Sequence, residues 1–210
     1  MIIENITKAE GKVDRFTVEI DDGTEIMVSA VQISDFGLYS GRELAEEEYA
    51  QLCEEIAQSR AKARALRILG SRTLSARELE KRLVNKGESV ETAQAAVRWL
   101  ESSGIINDSD YAVSIVQYYS LKGYGAARIK DELFKRGIRR EIWDEALECI
   151  DDTGDAAQEY LKKKLKGSSD SDDIRRALNS LHARGYSYSE ARSAVNRYIG
   201  NVDEAGDRYE

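Results

Sequence analysis

The amino-terminal part of the chain alternates apolar and polar side chains with a period of two. Residues 13–20, "VDRFTVEI", place β-branched and aromatic residues in this alternation, and "TEIMVSA" (24–30) follows after the sequence Asp-Asp-Gly. Two alternating segments around an Asp-Gly pair are typical of a β-hairpin. We therefore predict two short strands, followed at 33–44 by a connection that holds two glycines.

The rest of the chain has apolar residues every three to four positions, which is the period of an amphipathic helix. The first of these helices is predicted to end at Gly70. Two capping boxes, in which a serine precedes a glutamate by three residues, indicate helix starts after Ser75 and Ser187. Asn107 or Asp108 is expected to cap a further helix.

One phrase occurs three times, as "RLVNKG" (82–87), "ELFKRG" (132–137) and "SLHARG" (180–185). We predict that Gly87, Gly137 and Gly185 end helices with a positive φ, a conformation that glycine adopts without strain. The basic residue before each glycine suits the negative end of the helix dipole. Apolar residues also recur ten and thirteen places after each glycine, namely Val97, Leu147, Val195, Leu100, Ile150 and Tyr198. An internal repeat of about 50 residues is therefore indicated.

These patterns predict a mainly α fold of three tandem three-helix repeats that form an elongated curved array, with a small N-terminal β-hairpin segment. Each repeat alone would have a marginal core, and stacking would bury shared faces. We predict a hairpin and helix segment at 1–59 and an acidic tail at 201–210. The three repeats are predicted at 60–107, 108–152 and 153–200.

Charge is unevenly distributed along the chain, whose net charge is −8. Residues 1–59 hold 4 basic and 14 acidic residues, whereas residues 60–145 hold 17 basic and 12 acidic residues. An acidic head and a mildly basic middle indicate different surfaces for different tasks. The sequence has no apolar run of membrane-spanning length and no signal segment, and its two cysteines, Cys53 and Cys149, match no metal spacing. We therefore expect a cytoplasmic protein with reduced thiols.

Candidate catalytic chemistry is sparse. His182 is the only histidine and lies near a predicted helix end, where a surface residue is a better interpretation than a catalytic base. The sequence has no phosphate-binding loop, and "GYG" (123–125) does not follow a strand. We predict a protein that is not an enzyme, with no catalytic residue, cofactor or metal.

The candidate binding residues are basic residues of the second helix in repeats one and two, with two that directly follow the helix of repeat two. They are Arg77, Lys81, Arg82, Lys86, Arg128, Lys130, Lys135, Arg136, Arg139 and Arg140. One interpretation is a solvated surface in which they pair with nearby acidic residues at helical spacing. The other is a basic stripe that meets phosphates or the acidic surface of a protein.

The aromatic residues divide between core and surface. Tyr111 and Tyr119 are predicted to lie in the core, whereas Tyr118 and Tyr124 lie nearer the surface and could stack on bases. The two tryptophans, Trp99 and Trp143, are predicted to pack between helices.

Several spaced motifs resemble those of the RecX family of recombination regulators. They are "ALRILGSRTLSARELEKRLVNKG" (65–87), "AVRWLESSGIINDSDYA" (96–112) and "GYGAARIKDELFKRGI" (123–138). The resemblance implies a bacterial cytoplasmic protein of three three-helix repeats, expected to be monomeric. It also implies binding in the groove of the RecA recombinase–DNA filament, with inhibition of its ATPase and strand exchange in recombination, DNA repair and the SOS response. The chain departs from the family at Ala126, where proline is frequent, and at Gln117 and Tyr119, where basic residues are frequent.

Two functions remain open from the sequence. The first is a regulator that acts on a recombinase filament, in which DNA contact is also possible. The second is a direct nucleic-acid-binding protein whose repeats act like helix-turn-helix modules. Near-neutral repeats and an acidic head argue against tight non-specific binding to naked DNA.

Overall fold

The computed structural model describes residues 1–11, 13–149 and 153–206. They divide into two compact units, the first formed by Met1–Arg72 with Glu80–Ser102, and the second by Thr73–Leu79 with the chain from Ser103 onward. The described chain is mainly helical with a small antiparallel sheet at its amino end, which confirms the predicted fold class.

A three-stranded antiparallel sheet begins the first unit, in the order β1 (Ile3–Lys8), β2 (Arg15–Ile20) and β3 (Glu25–Ser29). The predicted hairpin corresponds to β2 and β3, where Val18 pairs with Ile26. The prediction missed β1, because only Ile3 is buried on this strand and the sequence shows no alternating stripe. Pairing with β2, which no local pattern encodes, holds it in the sheet.

Two helices complete the amino-terminal part, α1 (Ala30–Asp35) and α2 (Glu46–Leu69). The predicted connection at 33–44 therefore includes the end of α1, and its remainder lies along β1. The Ile3 amide donates to the Arg42 carbonyl at 2.9 Å, and the Leu44 amide donates to the Met1 carbonyl at 2.8 Å. Apolar residues from the sheet, this connection and α2 form one core.

Two further helices follow, α3 (Ala76–Asn85) and α4 (Val90–Ser102). The capping box before α3 is confirmed, since the Glu78 amide donates to the Ser75 hydroxyl and the Ser75 amide donates to the Glu78 carboxylate, both at 3.1 Å. Leu83 on α3 and Leu100 on α4 are fully buried.

The second unit contains α5 (Asp108–Leu121), α6 (Ala126–Lys135), a 3₁₀ turn (Arg140–Ile142) and α7 (Trp143–Glu148). Asn107 caps α5 as predicted. The third helix of this repeat is shorter than its apolar pattern suggested and starts as a 3₁₀ turn; Ile150 lies outside the described residues. Partly buried residues packed against the core include Tyr111, Tyr119, Trp143 and, against expectation, Tyr124. Tyr118 is 53% exposed.

The remaining helices are α8 (Thr153–Leu165), α9 (Ser171–Ala183) and α10 (Tyr188–Gly206). Leu161 from α8, Leu181 from α9 and Val195 from α10 share one core. The capping box at Ser187 is confirmed, with the Ser187 amide donating to Glu190 at 2.7 Å. The predicted tail begins within α10, and residues 207–210 lie outside the described chain.

The predicted glycine caps are confirmed, since Gly87, Gly137 and Gly185 have φ values of +91°, +72° and +91°. Two of them also make close contacts. A Cβ on Gly185 would lie 2.4 Å from the Arg128 backbone nitrogen, and one on Gly137 would lie 2.6 Å from the Arg77 Cδ. A Cβ on Gly87 would meet nothing within 4 Å.

These contacts arise because helices of the second unit meet end to end. The carboxyl end of α9 lies against the start of α6, where the Gly125 amide donates to the Arg184 carbonyl at 2.9 Å. The carboxyl end of α6 lies in the same way against the start of α3, where the Ser75 hydroxyl donates to the Arg136 carbonyl. Carbonyl groups at one helix end thus meet donors at the next helix start, a favourable alignment of dipoles.

Candidate binding surface on the second helices

Four candidate residues belong to the α3 region, and their cationic groups form no ion pair with the described part of the chain. Arg77, Lys81 and Lys86 are exposed and Arg82 is half-buried. Among the described residues, no carboxylate lies within ion-pair distance of any of the four.

The acidic residues of α3 accept hydrogen bonds from groups other than these cations. Glu78 accepts the Ser75 amide in the capping box. Glu80 accepts a hydrogen bond from the Gln94 side chain at 3.1 Å. Helical spacing suggested that both carboxylates form ion pairs with basic residues of α3. In the structure they accept hydrogen bonds from the Ser75 amide and the Gln94 side chain.

The candidate residues of α6 are mostly paired within their own repeat. Arg128 and Lys135 lie 3.5 and 3.0 Å from the Glu132 carboxylate, which the Tyr119 hydroxyl also contacts at 3.1 Å. Burial acts to raise the pKa of Glu132, but the Lys135 and Tyr119 hydrogen bonds and the nearby cations outweigh it and lower the pKa. Lys130 lies 3.6 Å from Asp144. These residues match the solvated-surface interpretation more closely than those of α3.

The three remaining candidates differ in exposure. Arg136 is half-buried; its guanidinium donates to the Tyr111 hydroxyl and lies 5.7 Å from that ring centre. Burial acts to lower the pKa of Arg136, and Tyr111 with its other polar neighbours reverses this and raises the pKa. Arg140 lies 5.6 Å from the Trp143 ring, and Arg139 is exposed. Arg136 therefore has a structural role in packing.

Arg184, the basic residue before the third glycine, was not among the candidates and holds two repeats together. Its guanidinium lies 4.0 Å from the Tyr160 ring centre and 5.0 Å from that of Tyr124. It also donates to the Lys122 carbonyl at 3.0 Å. Arg136 and Arg184 thus show that the basic residue before the glycine can pack on tyrosines as well as face the helix dipole. The signal available in the sequence was a tyrosine about 25 residues before each of these glycines.

Glu88 is a second residue that sequence reasoning missed. It directly follows Gly87, where the other two repeats have Ile138 and Tyr186. Its side chain is fully buried and lies 3.0 Å from Arg60 and 2.6 Å from Arg64, both on α2. The Arg64 guanidinium also donates to the Lys86 carbonyl at 2.7 Å. A buried carboxylate with two partly exposed arginines therefore joins α2 to the turn between α3 and α4.

The described part of the chain offers little catalytic chemistry. It contains no group of three or more residues arranged to hold a metal ion, and both cysteines are free thiols. His182 is exposed, with Nδ1 lying 3.2 Å from the Tyr186 carbonyl, as expected of a surface residue at a helix end. No helix in the described ranges is long and apolar enough to cross a membrane.

A cleft of about 760 Å³ lies between the end of α5 and α8. Its lining mixes cationic Lys122, Lys163 and Arg184 with anionic Asp155 and Glu159. Arg184 is already engaged by tyrosine rings and carbonyl groups. The cleft therefore presents no cluster of one charge that would select a ligand.

Comparison with known proteins gives consistent matches. Residues 107–147 match the family model described as "RecX, second three-helix domain". The regulatory protein RecX of Streptococcus sanguinis is 32% identical over 196 residues, covering 90% of this chain and 75% of the relative. That of Clostridioides difficile is 28% identical over 209 residues, covering 97% and 98%. A crystal structure of regulatory protein RecX superposes with a TM-score of 0.72 at 21% identity, covering 93% of this chain and 98% of the other.

Proposed function

Because this chain belongs to the RecX family of regulatory proteins, we propose that it binds the filament of the RecA recombinase on DNA and lowers its ATPase and strand-exchange activities. A filament repeats the same protein surface along its length and carries the phosphates of its DNA. A partner that carries cationic side chains at a repeated position of its fold suits such a surface.

The observation that carries the proposal is the unpaired cationic group on α3. Lys81 and Lys86 are exposed and have no carboxylate partner among the described residues. An unpaired surface cation keeps its full attraction for an anionic partner, whereas a paired one must first give up its carboxylate. We therefore assign the main electrostatic contact to α3, and a weaker contribution to Arg128, Lys130 and Lys135 on α6.

The test is a charge reversal with a matched control. Lys81→Glu with Lys86→Glu should weaken inhibition of recombinase ATPase and strand exchange. The control, Arg175→Glu with Arg176→Glu, reverses two exposed cations of α9 that are paired with acidic residues at 3.0 and 3.1 Å. The control should inhibit nearly as well as the unaltered protein. Both variants should keep their melting temperatures, since exposed charges are worth only about 0.2–1 kcal/mol each.

Titration into DNA without recombinase separates the two candidate functions. We expect weak binding to naked DNA because the net charge of the chain is −8. Binding to the filament should weaken as salt rises, because exposed charges are screened beyond about 8–10 Å. Equal affinity for naked DNA and for the filament would favour a direct nucleic-acid-binding protein, and full inhibition by the folded α3 reversal variant would refute the assignment to α3.

A further inference from the structure

Phe134 is a large aromatic residue that α6 leaves in solvent. It is 62% exposed, whereas its neighbour Leu133 and the preceding Ile129 are fully buried and form the core contact of this helix. Phe134 is thus not required to fill the core of its repeat. A single exposed apolar residue is common on protein surfaces, but an aromatic ring can anchor a protein partner when the surrounding charges complement that partner.

The same register carries an exposed apolar residue on α3. Val84 lies three places before Gly87, as Phe134 lies three places before Gly137, and it is 36% exposed. In the third repeat the register holds His182, which lies against the Tyr186 carbonyl. The exposed apolar position is therefore a feature of the two repeats that also carry the candidate cations.

The charges around Phe134 indicate the kind of partner. Residues 126–140 contain six basic and two acidic residues, a net charge of +4. An apolar side chain within a cationic surface is complementary to an apolar pocket that has carboxylates at its rim. The partner that fits is therefore a folded protein surface with an apolar pocket and an acidic edge.

A nucleic acid fits this surface less well. Phe134 is 62% exposed, and a phosphate backbone offers no apolar pocket that could bury its ring. Phe134 has no polar group with which to contact a base edge.

From these observations we propose that Phe134 is the apolar anchor of a protein–protein contact, inserting into an acid-rimmed apolar pocket of the partner. This inference rests on the proposed function, since the partner to be tested is the recombinase filament. It differs from the charge assignment in depending on apolar burial, which salt does not screen.

The experiment compares Phe134→Ala and Phe134→Leu with the matched control Tyr188→Ala, which truncates another exposed aromatic residue, 67% exposed at the start of α10. Binding of the full chain to recombinase–DNA filaments is measured at low and at high salt. We expect Phe134→Ala to weaken binding by about tenfold or more at both salt concentrations, Phe134→Leu to have a smaller effect, and Tyr188→Ala to have almost none. Melting temperatures should be unchanged, because Phe134 lies outside the core.

The outcomes separate this inference from the proposed function. If the unaltered protein binds filaments and Phe134→Ala binds equally well, the anchor is wrong and the proposed function stands. If the unaltered protein does not bind filaments, the proposed function fails and the anchor fails with it. If Phe134→Ala weakens binding to naked DNA as strongly as binding to filaments, the side chain stacks on bases and the protein-pocket proposal is overturned.

Discussion

The three repeat glycines should differ in how much a methyl group destabilises the protein, although all three have positive φ. Alanine in this conformation costs about 1–2 kcal/mol. Gly87→Ala should lose only this amount, because nothing lies within 4 Å of the added Cβ. Gly167→Ala should have the same small cost, because Gly167 has a φ of +91° and nothing within 4 Å of an added Cβ. Gly167 lies in the second unit, as Gly185 does, so the two variants can be compared directly.

The Gly185→Ala change should be the most destabilising of the series. Its Cβ would lie 2.4 Å from the backbone nitrogen and 2.7 Å from the Cβ of Arg128, at the first turn of α6. Backbone atoms cannot rotate away as a side-chain end can, so overpacking adds about 1–3 kcal/mol to the conformational cost. The total is about 2–5 kcal/mol. Gly137→Ala should be intermediate, because its closest contact is with the flexible Arg77 side chain.

The free energy of unfolding of each variant can be measured by urea denaturation followed by circular dichroism. Hydrogen exchange of α6 and α9 amides would report whether Gly185→Ala opens their junction before global unfolding. Equal losses for Gly167→Ala and Gly185→Ala would refute the reasoning, because the end-to-end contact would then contribute nothing beyond the φ requirement.

Three further contacts can be tested by the same denaturation assay. Arg64→Ala should cost about 1.5–3 kcal/mol, because the buried Glu88 carboxylate keeps only Arg60 as a cationic partner. Glu88→Ile should be nearly neutral, because an apolar side chain replaces the buried carboxylate; equal losses for the two variants would contradict this. Arg184→Ala should cost about 1–3 kcal/mol, because it removes two ring contacts and a hydrogen bond to a carbonyl group. The control Arg175→Ala removes an exposed arginine of the same helix region and should change the unfolding free energy very little. Glu132→Gln should be less stable than the unaltered protein at neutral pH. Because folding lowers the pKa of Glu132, the greater stability of the unaltered protein should decline as the pH falls below the ordinary carboxyl value of 4.5. A difference in unfolding free energy that persisted in acid would refute the ionic explanation.

The helical part of the fold was largely readable from the sequence because local rules determine it. Both capping boxes and the cap at Asn107 depend on residues within three positions of each other, and the glycine ends depend on one backbone angle. Strand β1 was missed because tertiary pairing with β2 holds it, with only Ile3 buried. The α-helical length of the third helix of repeat two was overestimated, because apolar spacing cannot distinguish a 3₁₀ start from an α-helical one.

The candidate surface was less predictable because the choice of ion-pair partner is a tertiary property. From spacing alone, Glu80 and Glu132 could each form ion pairs with basic residues of the same helix. The structure engages Glu80 with Gln94 and leaves Glu132 with Arg128 and Lys135. The ten candidate residues therefore remain a prediction as a binding set, with those of α3 favoured.

The contacts made by the carbonyl group before each repeat glycine limit how the repeats could be rearranged. The same carbonyl before each glycine meets a chemically different donor: the Arg64 guanidinium for Lys86, the Ser75 hydroxyl for Arg136 and the Gly125 amide for Arg184. If a repeat were moved to another place in the chain, the carbonyl group before its glycine would face a donor of a different kind and position. Duplication, deletion or exchange of single repeats would therefore require simultaneous changes on both sides of a junction, which ties the order of the repeats to the sequence of each one.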